Sequence, residues 1–416
     1  MRRLIYIFII GLLLCSYTWA DGSRYASNSL LSEGKWVKIR VDKTGIYKLS
    51  YADLKNMGFS DPSKVSVHGY GGWPLDEDFS KEYIDDVPST PVWRGSDYLL
   101  FYGKGSVKWE YDSSSQTFVH TNNPYSLYGY YFVTDATPTN DMTSVAQASG
   151  ASTRITTYDD YLLHEQELVS VNQSGREFFG EDFSGARPRT ISTFSSIPGI
   201  TDADGKVTMR FISRINSGSG TASLSINDSE LLDITIPSIQ TVSSNVRSYT
   251  KAIPGTTTAL WKGSKSEKNN VVVSYSSSGH TNVRLDYIRM QFVRTLRPYG
   301  ACTFFRSLTS VGNASRFVIS EANSNTLVFD VTDALNVKRV EADLNGSELS
   351  FTIPAGRLRE FVLVQTNQTF PSPEVVGEVA SSNLHGLEQR DMIIISAPSL
   401  VQQAERLAVA HRGKDG

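Results

Sequence analysis

Short runs of alternating apolar and polar residues, each closed by Gly, Asn, Asp or Ser, recur through most of this chain. That pattern limits it to packed antiparallel sheets. Runs of this kind occupy Val65–His68, Tyr98–Tyr102, Val107–Tyr111 and Tyr128–Thr134, then Val207–Ile215, Ala222–Ile226, Leu231–Ile236, Val271–Tyr275 and Val283–Val293. A third group covers Thr326–Val331, Val337–Leu344, Leu349–Ile353 and Phe361–Gln365. A sheet with one apolar face needs a second layer over it, so the pattern predicts a mainly β fold of consecutive antiparallel modules, including a β-sandwich or jelly roll. Three local signals sharpen this. Lys35–Ser50 reads as a hairpin turning at Asp42–Gly45; Ser50 with Asp53 reads as a capping box opening a short helix that Gly58 ends; Asn345-Gly346 reads as a tight hairpin turn. In Val283–Val293 the apolar phase changes near Tyr287, which predicts a bulge.

The 416 residues are 40% hydrophobic and 20% charged, enough apolar material for several packed cores and too little charge for disorder. Lys plus Arg number 40 against 43 Asp plus Glu, without the basic excess of a nucleic-acid reader. Of the two cysteines, Cys15 lies in a leader-like segment, so the exported chain has no partner for Cys302 and no internal disulfide. Arg2 and Arg3, the apolar run Leu4–Cys15 and the small residues before Asp21 form a cleaved secretory signal peptide, too short to span a bilayer. No later apolar stretch predicts a transmembrane helix in the mature chain.

After Phe370-Pro371-Ser372-Pro373 the grammar changes. Asp391–Ser396 is a continuous apolar run of the kind found in a strand buried on both faces of a parallel sheet. A helix follows, with Ser399 as its cap, Leu400, Ala404, Leu407 and Ala408 on one face, and Gly413 as its stop. The expected organisation is a signal peptide (1–20), an N-terminal β-rich domain (21–135), a linker (136–158), a β-sandwich (159–300), a β-rich hairpin region (301–370), a linker (371–390) and the first βα unit of a truncated α/β domain (391–416).

Several segments together resemble a known family. They are Gly34–Ile39 with Thr44–Leu49, Asn123-Pro124-Tyr125-Ser126 with Tyr128–Phe132, Leu285-Asp286-Tyr287-Ile288, Phe329–Asp333, Asn383-Leu384-His385-Gly386 and Asp391–Pro398. In order and number they resemble the N-terminal part of PorU-type sortases of the type IX secretion system, gingipain-like cysteine peptidases of Bacteroidetes. The resemblance implies that the final βα unit opens a gingipain/caspase-like domain. It implies an endopeptidase that removes C-terminal sorting domains from exported cargo at the cell surface, with cargo and other secretion components as partners and a periplasmic or outer-membrane location. The family's catalytic Cys and His match no residue of this chain, so no catalytic residue is carried over and the chain as given is expected to be inactive.

The remaining local candidates each have a plainer structural explanation. Cys302 sits in Tyr299–Phe305 among aromatics with no base beside it, as a buried structural thiol does. His68, His120, His164, His280, His385 and His411 show no metal spacing, and His385 belongs to the join before Asp391. Asp202-Ala203-Asp204-Gly205 lacks the later Glu of a calcium loop, Asp76-Glu77-Asp78 and Asp85-Asp86 read as solvated loops, and Gly103-Lys104-Gly105-Ser106 lacks the spacing of a phosphate loop. No cofactor or metal site is expected. Two other classes remain open: a surface adhesin or carbohydrate-binding β-sandwich protein, and a secreted gingipain-like protease.

Overall fold

The computed structural model describes residues 25–78, 80–81, 84–171, 177–185, 187–215, 218–239, 252–277 and 281–415. The signal-peptide reading and His280 lie outside the described residues. The chain divides into two compact units. One comprises Lys35–Glu82 with Pro88–Val379; the other comprises Met1–Gly34, Tyr83–Val87 and Ala380–Gly416.

The larger unit begins with β1 (Trp36–Val41), β2 (Gly45–Ser50), α1 (Tyr51–Asn56), β3 (Ser66–Gly71), β4 (Tyr98–Gly103), β5 (Val107–Asp112), β6 (Thr117–Asn122) and β7 (Gly129–Thr134). The hairpin expected over Lys35–Ser50 is instead a corner: β1 pairs with β7, and β2 pairs with β4 in another sheet. A ribbon would lay the apolar residues of both strands on one face. The corner sets Val37, Ile39 and Val41 together with Tyr47, Leu49 and Phe101 in a single core. Tyr47 Oη pins the bend, donating to Asp42 Oδ1 at 2.9 Å or to the Lys43 carbonyl at 2.8 Å. The capping box forms as the sequence implies. Ser50 Oγ accepts from Asp53 N at 3.0 Å, Leu54 is buried beneath it, and Gly58 ends the turn at φ +91°.

Next come β8 (Thr157–Glu165), β9 (Gly205–Ile215), β10 (Ser219–Ile226), β11 (Ser229–Pro237), β12 (Ile253–Trp261), β13 (Val271–Ser277) and β14 (Thr281–Thr295). One sheet runs β8-β14-β9-β12, and the other sets Arg189–Thr190 beside β13, β10 and β11. Met209, Phe211, Leu285 and Ile288 from the first meet Ala222, Leu224 and Val273 from the second in one sandwich core. The bulge falls at Asp286, since Arg210 faces Tyr287 and Phe211 faces Leu285. This explains the phase change in the sequence, and it brings Asp286 against Arg210 in an ion pair.

A third body holds β15 (Cys302–Phe305), β16 (Ser315–Ile319), β17 (Thr326–Asp330), β18 (Glu348–Ile353) and β19 (Phe361–Gln365). The stretch read as a linker supplies parallel strands to both of its sheets, Ser144–Val145 beside Lys338–Val340 and Thr153–Ile155 beside β16. Strand pairing uses backbone groups alone, so a Ser- and Thr-rich edge strand leaves no apolar period to read. Asn345 and Glu348 pair across the expected Asn-Gly turn, with Gly346 at φ +62°. Phe305, Phe317, Phe351 and Phe361, all fully buried, pack with ring centroids 5.1–6.3 Å apart.

Finally β20 (Glu374–Val379), also within a stretch read as linker, returns to pair with β1 on the side away from β7. The first sheet is therefore closed by residues more than three hundred positions downstream. Arg40 braces the join with a two-toothed ion pair to Glu374 at 2.7–2.9 Å.

In the smaller unit the strand expected over Asp391–Ser396 is irregular and open, with Ile393 77% and Ile395 94% exposed. A strand apolar on both faces needs hydrogen-bonding neighbours and covering layers, and among the described residues none is offered to it. The helix does form, as α2 (Val401–Asp415) behind a single 3-10 turn, Pro398–Leu400. Ser399 lies inside that turn rather than capping it, and the helix runs through Gly413.

Phe305→Ala should cost about 3–5 kcal/mol in denaturant unfolding, the toll of a cavity inside a closed aromatic cluster.

Candidate functional site

The side chains able to do chemistry are placed by the sheets, mostly as packing groups. Cys302 opens β15 opposite Val364 and lies against the cluster of Phe329, Val362 and Val364. Burial pushes its thiol up to about 12, opposed by a hydrogen bond with the Ile46 backbone. At neutral pH it is a thiol, and no thiolate is available to attack a carbonyl.

The histidines are committed to neighbours. His68 Nε2 lies 2.8 Å from Thr137 Oγ1 and 3.2 Å from Ser66 Oγ, with its ring edge-on to Trp36. A Ser beside a His would be a nucleophile pair if a substrate could reach it, but both side chains are sealed in the sheet. His120 Nε2 sits 3.3 Å from Glu165, and His164 bridges Glu181 at 2.7 Å and Thr193 at 2.9 Å. His411 lies on α2. In the smaller unit His385 Nδ1 meets the Ala26 carbonyl at 2.8 Å. There Asn383 receives Ser29 N at 2.9 Å and donates to Asn28 at 2.7 Å, so Asn383-Leu384-His385-Gly386 clasps the segment Ala26–Ser29.

The acidic runs also serve turns. Asp202 accepts from Lys265 N at 2.8 Å, Asp76 pairs with Lys81 at 2.5 Å, and Asp86 accepts from Ser29 Oγ and Leu30 N. Among the described residues no group of three or more His, Cys, Asp or Glu side chains is placed to hold a metal ion.

Two buried charges escaped the sequence reading. Lys104 is 3% exposed, its Nζ 3.6 Å from the centre of the Tyr70 ring and 4.7 Å from that of Trp73. Its backbone is gripped by Tyr131 Oη and by Gly72 N, and Gly129 passes so close to its carbonyl that no side chain fits there. Burial, with the charge of Lys108 adding to it, lowers the ammonium to about 7. Arg306, 1% exposed, donates to both carboxylate oxygens of Glu360, one of them at 2.6 Å, and to the Asp159 carbonyl at 3.0 Å; it also lies 4.4 Å from the Tyr161 ring centre. Asp160 adds a contact at 3.7 Å and is held by Arg294 at 2.8 Å. Nothing in a linear sequence distinguishes such a charge from a solvated one.

A groove of about 390 Å³ lies between α1 and the edge strand β20, lined by Val37, Leu49, Met57, Pro373 and Val375 and rimmed by Asp53. Val375 and Val376 are 48% and 50% exposed on that edge. An open edge beside an apolar groove can receive an added strand.

The described residues thus form a series of packed β bodies that hold a protonated Cys302 and leave a sheet edge open at β20. Compared with solved structures, the chain matches the crystal structure of dimeric latent PorU from Porphyromonas gingivalis with a TM-score of 0.83 and 33% identity, over 94% of this chain and 37% of that one. It is a PorU-type relative, and it spans little more than a third of the length of that protein. Carbohydrate-binding modules from Zobellia galactanivorans and Cellvibrio mixtus align with 23% and 35% of the chain at 15% and 13% identity, with TM-scores of 0.15 and 0.16 that carry no argument. No family model matches, and no curated protein matches.

Lys104 yields a pH prediction. Because its folded value is depressed, the unfolded chain binds more protons than the folded one between about pH 7 and the ordinary lysine value of 10.5. Stability should rise across that window on this account. Lys104→Met should raise the urea midpoint at pH 7 and flatten the difference between pH 7 and pH 9.5.

Proposed function

We propose that this chain is the N-terminal accessory region of a type IX secretion sortase, an exported cysteine endopeptidase that removes C-terminal sorting domains from cargo at the cell surface. The observation that carries this is the PorU match, which runs through nearly the whole described chain rather than one module. In this role the β bodies form a rigid base that presents a catalytic domain to its cargo and to other secretion components. The thiolate and its histidine base are supplied by residues other than those described here. The protonated Cys302 and the enclosed His68 support that division, since neither can act as nucleophile or base toward a peptide. Export by a cleaved leader at Met1–Ala20 belongs to the same proposal. No described helix is long and apolar enough to cross a membrane.

The test is a peptidase assay of the purified chain on a cargo protein bearing its sorting domain. No cleavage is expected, and Cys302→Ser should leave both that result and the fold unchanged. Disruption of the encoding gene should leave cargo uncleaved at its C-terminus. Turnover that depends on Cys302, or normal cargo processing in the disrupted strain, would overturn the proposal.

A further inference from the structure

Among the described residues the ribbon β5–β6 pairs with no other strand, and a lone two-stranded ribbon is marginal in water. It is held down from outside by contacts to the second sandwich. Trp109 stacks on Tyr161 with ring centres 4.0 Å apart. Gln291 imitates a neighbouring strand, receiving Phe118 N at 2.9 Å and donating to its carbonyl at 3.2 Å. Lys206 Nζ reaches the turn carbonyls of Gln116 at 2.8 Å and Ser115 at 3.3 Å. The last anchors are at the ribbon's end, where Asn122 Nδ2 donates to Glu167 at 2.9 Å and His120 meets Glu165.

That end is crowded with acid. Glu167 at the exposed rim is faced by Glu165 of β8 and by Asp286 of the β14 bulge, and Phe178 N also reaches it. Arg210 of β9 is already engaged by Asp286 and, at 3.4 Å, by Glu177. Tyr287 and Arg289 of β14 complete the surroundings, the Tyr287 ring edge-on to His120 at 4.6 Å. Asn122 Oδ1 is buried and accepts no hydrogen bond. A protonated Glu167 carries the donor that this oxygen lacks, while an ionised one offers only a second acceptor.

We propose that β5–β6 is a proton-controlled latch, closed onto the second sandwich when Glu167 is protonated and loosened when Glu167 ionises. Burial and the Glu165 charge push the Glu167 carboxyl from its ordinary 4.5 up to about 7, and burial raises Asp286 to about 6 against the pull of Arg210. A released ribbon would take away its share of that desolvation and lower the Glu167 carboxyl towards its ordinary value, so docking weakens as pH rises through that interval.

Hydrogen exchange on the intact purified chain tests this, with protection factors for residues 107–122 taken at pH 5.5 and 8.5 and the β9 and β14 amides as internal reference. Wild-type ribbon protection should fall roughly tenfold or more at the higher pH while the reference holds. Glu167→Gln, which supplies a neutral donor at every pH, should keep the ribbon protected at both. Trp109 emission should shift with pH in the wild type and stay constant in the variant. Equal wild-type protection at both pH values, or a Glu167→Gln variant that keeps the wild-type pH dependence, would overturn the proposal.

Discussion

One buried guanidinium organises the larger unit. Arg306 leaves the end of β15, binds Glu360 at the entry to β19, donates to the β8 backbone at Asp159, and lies against Tyr161 of β8 with Phe118 of the ribbon nearby. Asp159 N returns a hydrogen bond to the Arg306 carbonyl at 3.0 Å, so side chain and main chain make the same join. The second sandwich, the third body and the ribbon all meet at this residue. Such a buried ion cluster is a poor source of net stability compared with apolar packing, yet removing one partner strands the others and costs about 3–5 kcal/mol. Its role is to fix which surfaces of these bodies face one another.

The sequence declares strands better than it declares partners. The strands themselves, the bulge near Tyr287, the Ser50–Asp53 capping box and the Asn345-Gly346 turn were legible because each is written in neighbouring residues. Pairing of β1 with β20 was not, because no local pattern records a contact across the length of a domain. The corner at Asp42–Thr44 uses the same alternation as a hairpin and differs only in which strands accept it. The polar strands at Ser144–Val145 and Thr153–Ile155 lack any apolar period. Asp391–Ser396 shows the opposite failure, a strand-like run with nothing among the described residues to pair with it.

The same asymmetry governs the candidate site. That Cys302 is a packing thiol was readable from its aromatic neighbours, and the structure adds the burial that keeps it protonated. Lys104 and Arg306 were not readable, because a charge is recognised as buried only once the sheets that cover it are in place. In the proposed accessory role these features act together, as a β base whose bodies are joined to one another and whose edge at β20 stays open.

Differential scanning calorimetry of the wild type against Arg306→Met reads the lock itself. If the guanidinium joins the bodies, the wild-type larger unit melts in one main transition, and the variant shows that transition lowered and divided. A variant that melts in one undivided transition at the wild-type temperature would show that the bodies are held together by something else.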